Sequence, residues 1–239
     1  EQFKEFAEGL PKYEVRETSG DALNVFIGDV HAGAVSRGYN LVKIVELLSA
    51  TSAEINSLGS GPVNINVVGD VFESISGMSH PDTWKHIEMW GAELIKETSK
   101  IIASFLRSIN NLSKVRVIGG NHDRFNKDRK DGNDGDAANI IAYILEVMGF
   151  DVEFDSNQIT YDCGGIRYIV EHGDKGLSKR DPYEKIFKDG KQDFFNILIK
   201  AHDHTRKVGR SYDGANYRQI TIPSFIPNSA FGDSLGLEG

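Results

Sequence analysis

The chain has 239 residues, enough to bury a full core, and its 39% hydrophobic and 26% charged content is that of an ordinary globular protein. A net charge of -8 counts against a protein that coats nucleic acid through a broad basic surface, and a single cysteine, Cys163, excludes an intrachain disulfide. No apolar run is long enough to span a bilayer and no signal-peptide pattern is found, so a cytoplasmic protein without a membrane partner is expected.

Residues 1–20 are mixed and polar and read as a lead-in to one domain over 21–239. The sequence opens on Glu1 and stops at Gly239 without a clear closing element, which reads as an excised domain or as a chain whose disordered ends are left out of the numbering. Leu23 to Ile27 is a short apolar run that ends at Gly28-Asp29 and predicts a buried strand. Leu41, Ile44, Val45 and Leu48 recur at helical spacing until the Gly/Ser-rich stretch Ser57–Pro62 stops them. Val63 to Val68 is a second strand, ending at Gly69-Asp70. The stripe Trp84, Ile87, Gly91, Leu94, Ile95, Ile101, Ile102, Phe105, Leu106 and Ile109 predicts a long helix starting near Asp82, within a helical insertion at about 74–112. Val115 to Ile118 predicts a third strand, ending at Gly119-Gly120-Asn121, and Phe125 to Asp136 an exposed charged loop. A helix is expected over Ala137–Met148. Strands follow at Val152–Phe154, Gln158–Tyr161, Ile166–Val170 and Ile197–Ile199, with a hairpin turning at Asp213-Gly214. Strand–helix alternation followed by hairpins predicts a layered α/β architecture.

Polar residues of one kind keep appearing where these strands end. The first delivers Asp29 and His31, the second Asp70, the third Asn121, His122 and Asp123, and later strands His172 and the pair His202 and His204. Ligands of open α/β sheets gather beyond the carboxyl ends of the strands, so five such ends can converge on one site. Carboxylate, imidazole and amide oxygen together suit Mn, Fe, Zn or Mg, not soft metals. Five of the seven histidines lie in these segments, leaving only His80 and His86 outside. A single Gly-Asp after a strand is usually a turn. The joint occurrence, in order and each at a strand end, sets these residues apart. The pair His202 and His204 is the strongest element, since residues two apart on an extended chain face the same way.

The ordered set Gly28-Asp29-Val30-His31, Gly69-Asp70-Val71-Phe72-Glu73, Gly120-Asn121-His122-Asp123, His172 and His202-Asp203-His204 resembles that of the calcineurin-like metallophosphoesterases. The resemblance implies a two-sheet β-sandwich flanked by helices, with two divalent metal ions at the sheet ends. It implies that Asp29, His31 and His204 hold one ion, that Asn121, His172 and His202 hold the other, and that Asp70 bridges both. His122 then sits over the substrate phosphate, oriented by Asp123. Glu73 stands where Asp or Asn is usual and no Arg follows it, which argues against a phosphoprotein phosphatase. Ala201 replaces the usual glycine before His202, a change expected to matter little.

Two metals about 3.5–4 Å apart can share a water and lower its pKa toward neutrality. Manganese is the expected ion, with Fe, Zn or Mg as alternatives. Arg124 and Arg37 are candidate substrate-binding cations, and the Lys127–Lys130 run divides evenly between a phosphate-gripping rim and a solvated loop. The stretch Asp131–Asp136 does not fit a calcium loop, because Asp136 stands where that template requires glycine. The leading expectation is a phosphodiesterase acting on DNA or RNA. The Gly-Asp-Val-Phe and Gly-Asn-His-Asp wording resembles the nuclease subunits of double-strand-break repair complexes. The alternative is a phosphatase or phosphodiesterase of small substrates such as nucleotides, and the least favoured is a metal-free interaction module.

Overall fold

A computed structural model describes residues 21–36, 38–75, 86–126, 132–175, 181–209 and 217–226. The first half builds a sheet of four parallel strands: β1 (Leu23–Ile27), β2 (Val63–Val68), β3 (Leu112–Ile118) and β4 (Val152–Asp155), in that spatial order. The connections run through α1 (Leu41–Ser57), α2 (Gly91–Arg107) and α3 (Ala138–Val147). The second half builds a mixed sheet from β5 (Gln158–Cys163), β6 (Ile166–Glu171), β7 (Phe195–Lys200), β8 (Lys207–Val208) and β9 (Tyr217–Thr221), ordered β5-β6-β7-β9-β8. Here β6, β7 and β9 are mutually parallel, and β5 and β8 are antiparallel edges.

Three apolar layers hold the elements together. On one face of the first sheet Ile65, Val67, Val115 and Val117 pack against Ile44, Leu94, Leu106 and Leu145 of the helices. Its other face meets the second sheet, where Val68 and Ile118 contact Ile159, Val170, Ile199 and Ile222. Ile169 and Leu198 on the far side of the second sheet are covered by Ile186 of α4 (Pro182–Asp189). Every residue of β2 is therefore buried, as expected of a central parallel strand covered on both faces. Because β1, β2, β3, β6 and β7 all run toward the same end of the sandwich, their carboxyl ends share one rim.

The architecture agrees with the expected layered α/β sandwich, and most elements differ from expectation by one or two residues. The largest difference is α2, which starts at Gly91 and not near Asp82. Trp90 and Gly91 interrupt the helix: Trp90 is extended, and Gly91 takes a left-handed φ of 62°. Ile87, counted in the helical stripe, instead bridges Ala34. Its apolar side chain fits either role, so periodicity alone overran the true start. Helix α4 was not expected, and the hairpin tip at Asp213-Gly214 lies outside the described residues, although β8 and β9 on either side of it do pair antiparallel. No described helix is long and apolar enough to cross a membrane.

Candidate metal centre

Beyond the carboxyl ends of β1, β2, β3, β6 and β7, the structure brings Asp29, His31, Asp70, Asn121, His122, His172, His202 and His204 to one place. Among the described residues three groups have ligand atoms all within 4.8 Å of one another: Asp29 with His31 and His204, His31 with Asp70 and His122, and Asp70 with His172 and His202. Asn121 joins the last group through its Oδ1, 3.1 Å from His172 Nε2. Asp70 Oδ2 lies 3.1 Å from His172 Nε2 and 3.9 Å from His31 Nε2, between the two outer groups.

The backbone at this rim is unusual. Asp29, His31, Asp70, His202 and His204 all have left-handed φ, between 46° and 68°. A non-glycine residue in that conformation costs on the order of 1–3 kcal/mol, and such residues cluster at functional sites. The left-handed turn also revises the expectation for the His-x-His pair. The chain is not extended at either position, and the two rings meet different neighbours: His202 packs edge-on against His172, and His204 against His31. Glycines admit close approach beneath them. A Cβ on Gly120 would lie 2.1 Å from the Asp70 backbone nitrogen, and one on Gly69 2.4 Å from His172 Nδ1. Ala201, in place of the usual glycine, is fully buried and donates its N–H to the His172 carbonyl, so the methyl is accommodated.

Hydrogen bonds on the outer side of the rings fix which nitrogens face inward. His31 Nδ1 donates to Glu73 Oε2 at 2.7 Å, His172 Nδ1 to the Val68 carbonyl at 3.1 Å and His122 Nδ1 to the Glu73 carbonyl at 2.7 Å. An acceptor on Nδ1 leaves Nε2 as the inward nitrogen, which is how protein ligands to metals are commonly oriented. Asp123 accepts from Phe72 N at 3.0 Å and from Gly120 N at 2.9 Å, so its carboxylate shapes the loops after β2 and β3. The ring of His122 meets Glu73. Glu73 was singled out in the sequence only as a departure from a pattern, yet it reaches two of the histidines. Its contacts come from 42 and 49 positions away, beyond the reach of local spacing.

The charges of this rim favour a cation. Burial pushes Asp29 up to about 6, against the opposing pull of His172. Burial likewise works against Asp70, but His172, His122 and His31 outweigh it and hold its carboxyl well below the usual range. Burial would lower His31 and His172, yet the Glu73 hydrogen bond pushes His31 up to about 9, and the Asp70 carboxylate pushes His172 up to about 10. The carboxylates thus draw positive charge onto imidazoles buried at 3% and 1% exposure. Inward-facing nitrogens and carboxylate oxygens of this kind fit divalent ions of intermediate hardness.

Arg124 is buried, with Nη2 donating to Asp174 Oδ2 at 2.5 Å. Arg37, Lys127, Arg129 and Lys130 lie outside the described residues. His80 lies outside them too, and His86 stands apart from the three groups.

Solved structures of similar shape include the phosphoesterase Yfce from Escherichia coli, at 12% identity and TM-score 0.41, covering 86% of this chain and 84% of that one. Another is a conserved uncharacterized protein from Streptococcus pneumoniae described as a predicted phosphoesterase, at 10% identity and TM-score 0.40, covering 87% and 75%. A Vps29 double mutant from Entamoeba histolytica follows at 11% identity and TM-score 0.35, covering 83% and 72%. No curated protein matches the chain. The sequence profile of the calcineurin-like phosphoesterases matches residues 25–224, nearly the whole described region, and the chain therefore belongs to that family of metal-dependent phosphate-ester hydrolases.

Proposed function

We propose that this protein is a dinuclear phosphodiesterase acting on nucleic acid, with manganese as its ion. Asp29, His31 and His204 would hold one ion, Asn121, His172 and His202 the other, and Asp70 both. The observation that carries this reading is the placement of Asp70 Oδ2 between His31 Nε2 at 3.9 Å and His172 Nε2 at 3.1 Å, one histidine from each set. Divalent ions bound there supply Lewis acidity, neutralising phosphate charge and lowering the pKa of water.

The remaining chemistry falls to the chain itself. His122 and His204 are more exposed than His31 and His172, at 17% and 28% against 3% and 1%. The phosphate would enter from their side. With Nδ1 of His122 held by the Glu73 carbonyl, its Nε2 is the nitrogen that would hand a proton to the leaving oxygen, a step worth roughly 10²–10⁴ in rate. Asp123 would support His122 by holding the backbone of Gly120 before it and of Phe72 in the neighbouring loop, and Arg124 would lie close behind. The Gly-Asp-Val-Phe and Gly-Asn-His-Asp wording favours nucleic acid as substrate. The net charge of -8 favours the second reading, a phosphoesterase of small nucleotides. The unpaired Cys163 suits a reducing cytoplasm.

A substrate panel decides between the readings. Manganese-loaded protein would be assayed on bis(p-nitrophenyl) phosphate, the monoester, cyclic nucleotides, and labelled single- and double-stranded DNA and RNA. The proposal expects the diester and at least one polynucleotide to be cleaved. Turnover of small esters with every polynucleotide intact would rule out the nuclease reading and favour the alternative.

A further inference from the structure

The five segments that bear the candidate ligands form a ring, and its seams are fastened in different ways. Asp29 N, His31 N and Ala32 N donate to the carbonyls of Gly69, Asp70 and Val71, joining the ends of β1 and β2. Asp123 accepts from Phe72 N, and Asp70 Oδ1 accepts from His122 N at 2.8 Å, joining β2 to β3. Ala201 N donates to the His172 carbonyl, joining β6 to β7, and His202 N donates to the Asp29 carboxylate at 3.0 Å, closing β7 on β1.

The fifth seam lies between the segment after β3 and the segment after β6. These strands belong to different sheets, so no strand ladder joins them. An ion pair crosses this seam, from Arg124 Nη2 to Asp174 Oδ2 at 2.5 Å, with the two residues only 8% and 5% exposed. Arg124 stands three residues beyond Asn121, and Asp174 two beyond His172. The side chains of Asn121 and His172 meet at 3.1 Å on the inner side of the same seam. The Arg124 main chain is itself anchored, by its bridge to Asp136 and by the bond from Phe125 N to the Gly135 carbonyl. A buried guanidinium gives its partner a fixed direction, and removing either member leaves the other's charge buried without compensation.

We infer that Arg124 and Asp174 are a positioning pair that sets the spacing of Asn121 and His172, and with it the affinity for a divalent cation of the group those two form with His202. This inference rests on the dinuclear reading above. Arg124 then acts through Asp174, and its effect is on ion binding, not on contact with the phosphate.

Calorimetric titration of Mn²⁺ into the metal-free full chain tests it. Wild type should show two binding events. Arg124→Met and Asp174→Asn should each weaken one event by about 10–100-fold and spare the other, the usual cost of losing a residue that orients a ligand. The double variant should be no worse than the weaker single one, because the pair acts as a unit. Arg124→Lys, which keeps the charge and loses the planar fork, should fall between. Two unchanged events in the single variants would overturn the inference, as would losses that add in the double variant or equal weakening of both events. If Arg124→Met lacks a cooperative thermal transition, Asp174→Asn and Arg124→Lys give the same reading in folded protein. A wild-type protein that binds a single ion contradicts the dinuclear reading instead. The pair is then judged by whether Asp174→Asn weakens that one event.

Discussion

His31 and His204 stand 173 positions apart in the sequence and hold their Nε2 atoms 3.2 Å from each other. Two imidazole nitrogens face one another at that distance when something positive lies between them. Burial pushes His204 down to about 4, while the Glu73 hydrogen bond helps push His31 up to about 9. When no ion is bound, a proton on one of the two nitrogens bridges such a gap. A divalent ion can replace that proton without moving either ring far. His204→Ala should then lower the bound manganese from two ions per chain to one, as read by elemental analysis after dialysis. Two ions retained by this variant would remove His204 from the ligand set.

His122 touches the rim without lying in either outer group of donors. His122→Ala is expected to keep both ions and to lose about 10²–10⁴ in turnover on a diester substrate. Elemental analysis and steady-state kinetics on the same preparation separate the two effects. Turnover close to wild type would show that the leaving oxygen takes its proton from elsewhere.

Glu73 places its side chain on His31 and its carbonyl on His122. Substitution removes the contact to His31 and the 3.9 Å approach of the carboxylate to His122 Nδ1, while the carbonyl contact to His122 remains. Glu73→Leu should weaken manganese binding by about 10–100-fold, and Glu73→Gln, whose amide oxygen can still accept from Nδ1, should recover most of that loss. Equal affinities for the two variants would mean that the contact to His31 does not orient the ring.

Asp136 sits under the β3 loop at 2% exposure, and burial pushes its carboxyl up to about 8, with Asp123 adding to the rise. The folded chain thus holds a proton there that the unfolded chain releases near 3.8. Stability from this group is fully present below that value and is lost as pH rises toward about 8. Asp136→Asn keeps an oxygen for the bond from Ala138 N and removes the charge. In the metal-free protein its advantage in thermal midpoint over wild type should grow from pH 4 to pH 8 and then level off. A difference that stays constant over that range would place Asp136 in the charged form throughout.

The strands and the residues at their ends were legible because each rests on a local signal. An apolar run followed by Gly and a polar residue carries its own strand and its own turn, as at Val68-Gly69-Asp70. The helix start at Gly91 was less legible, since Ile87 fits a helical stripe as well as the bridge it makes to Ala34. Of what supports the ligands, Asp123, Arg124 and Glu73 stood out in the sequence, but the partners they meet did not. Glu73 meets His31, Arg124 meets Asp174 and Asp123 meets Phe72 across 42, 50 and 51 positions. Nothing in local spacing encodes those distances. The left-handed turns at Asp29, His31, Asp70, His202 and His204 were hidden for a similar reason. Intrinsic preference disfavours them, and only the packed rim around them holds them in place.

The central claim is that seven side chains from five strand ends hold two ions that share Asp70. A crystal structure of the manganese-loaded protein, with anomalous scattering recorded above and below the manganese edge, tests it most directly. Two anomalous peaks are expected, one among Asp29, His31 and His204 and the other among Asn121, His172 and His202, each in contact with Asp70. A single peak, or peaks away from these residues, would contradict it.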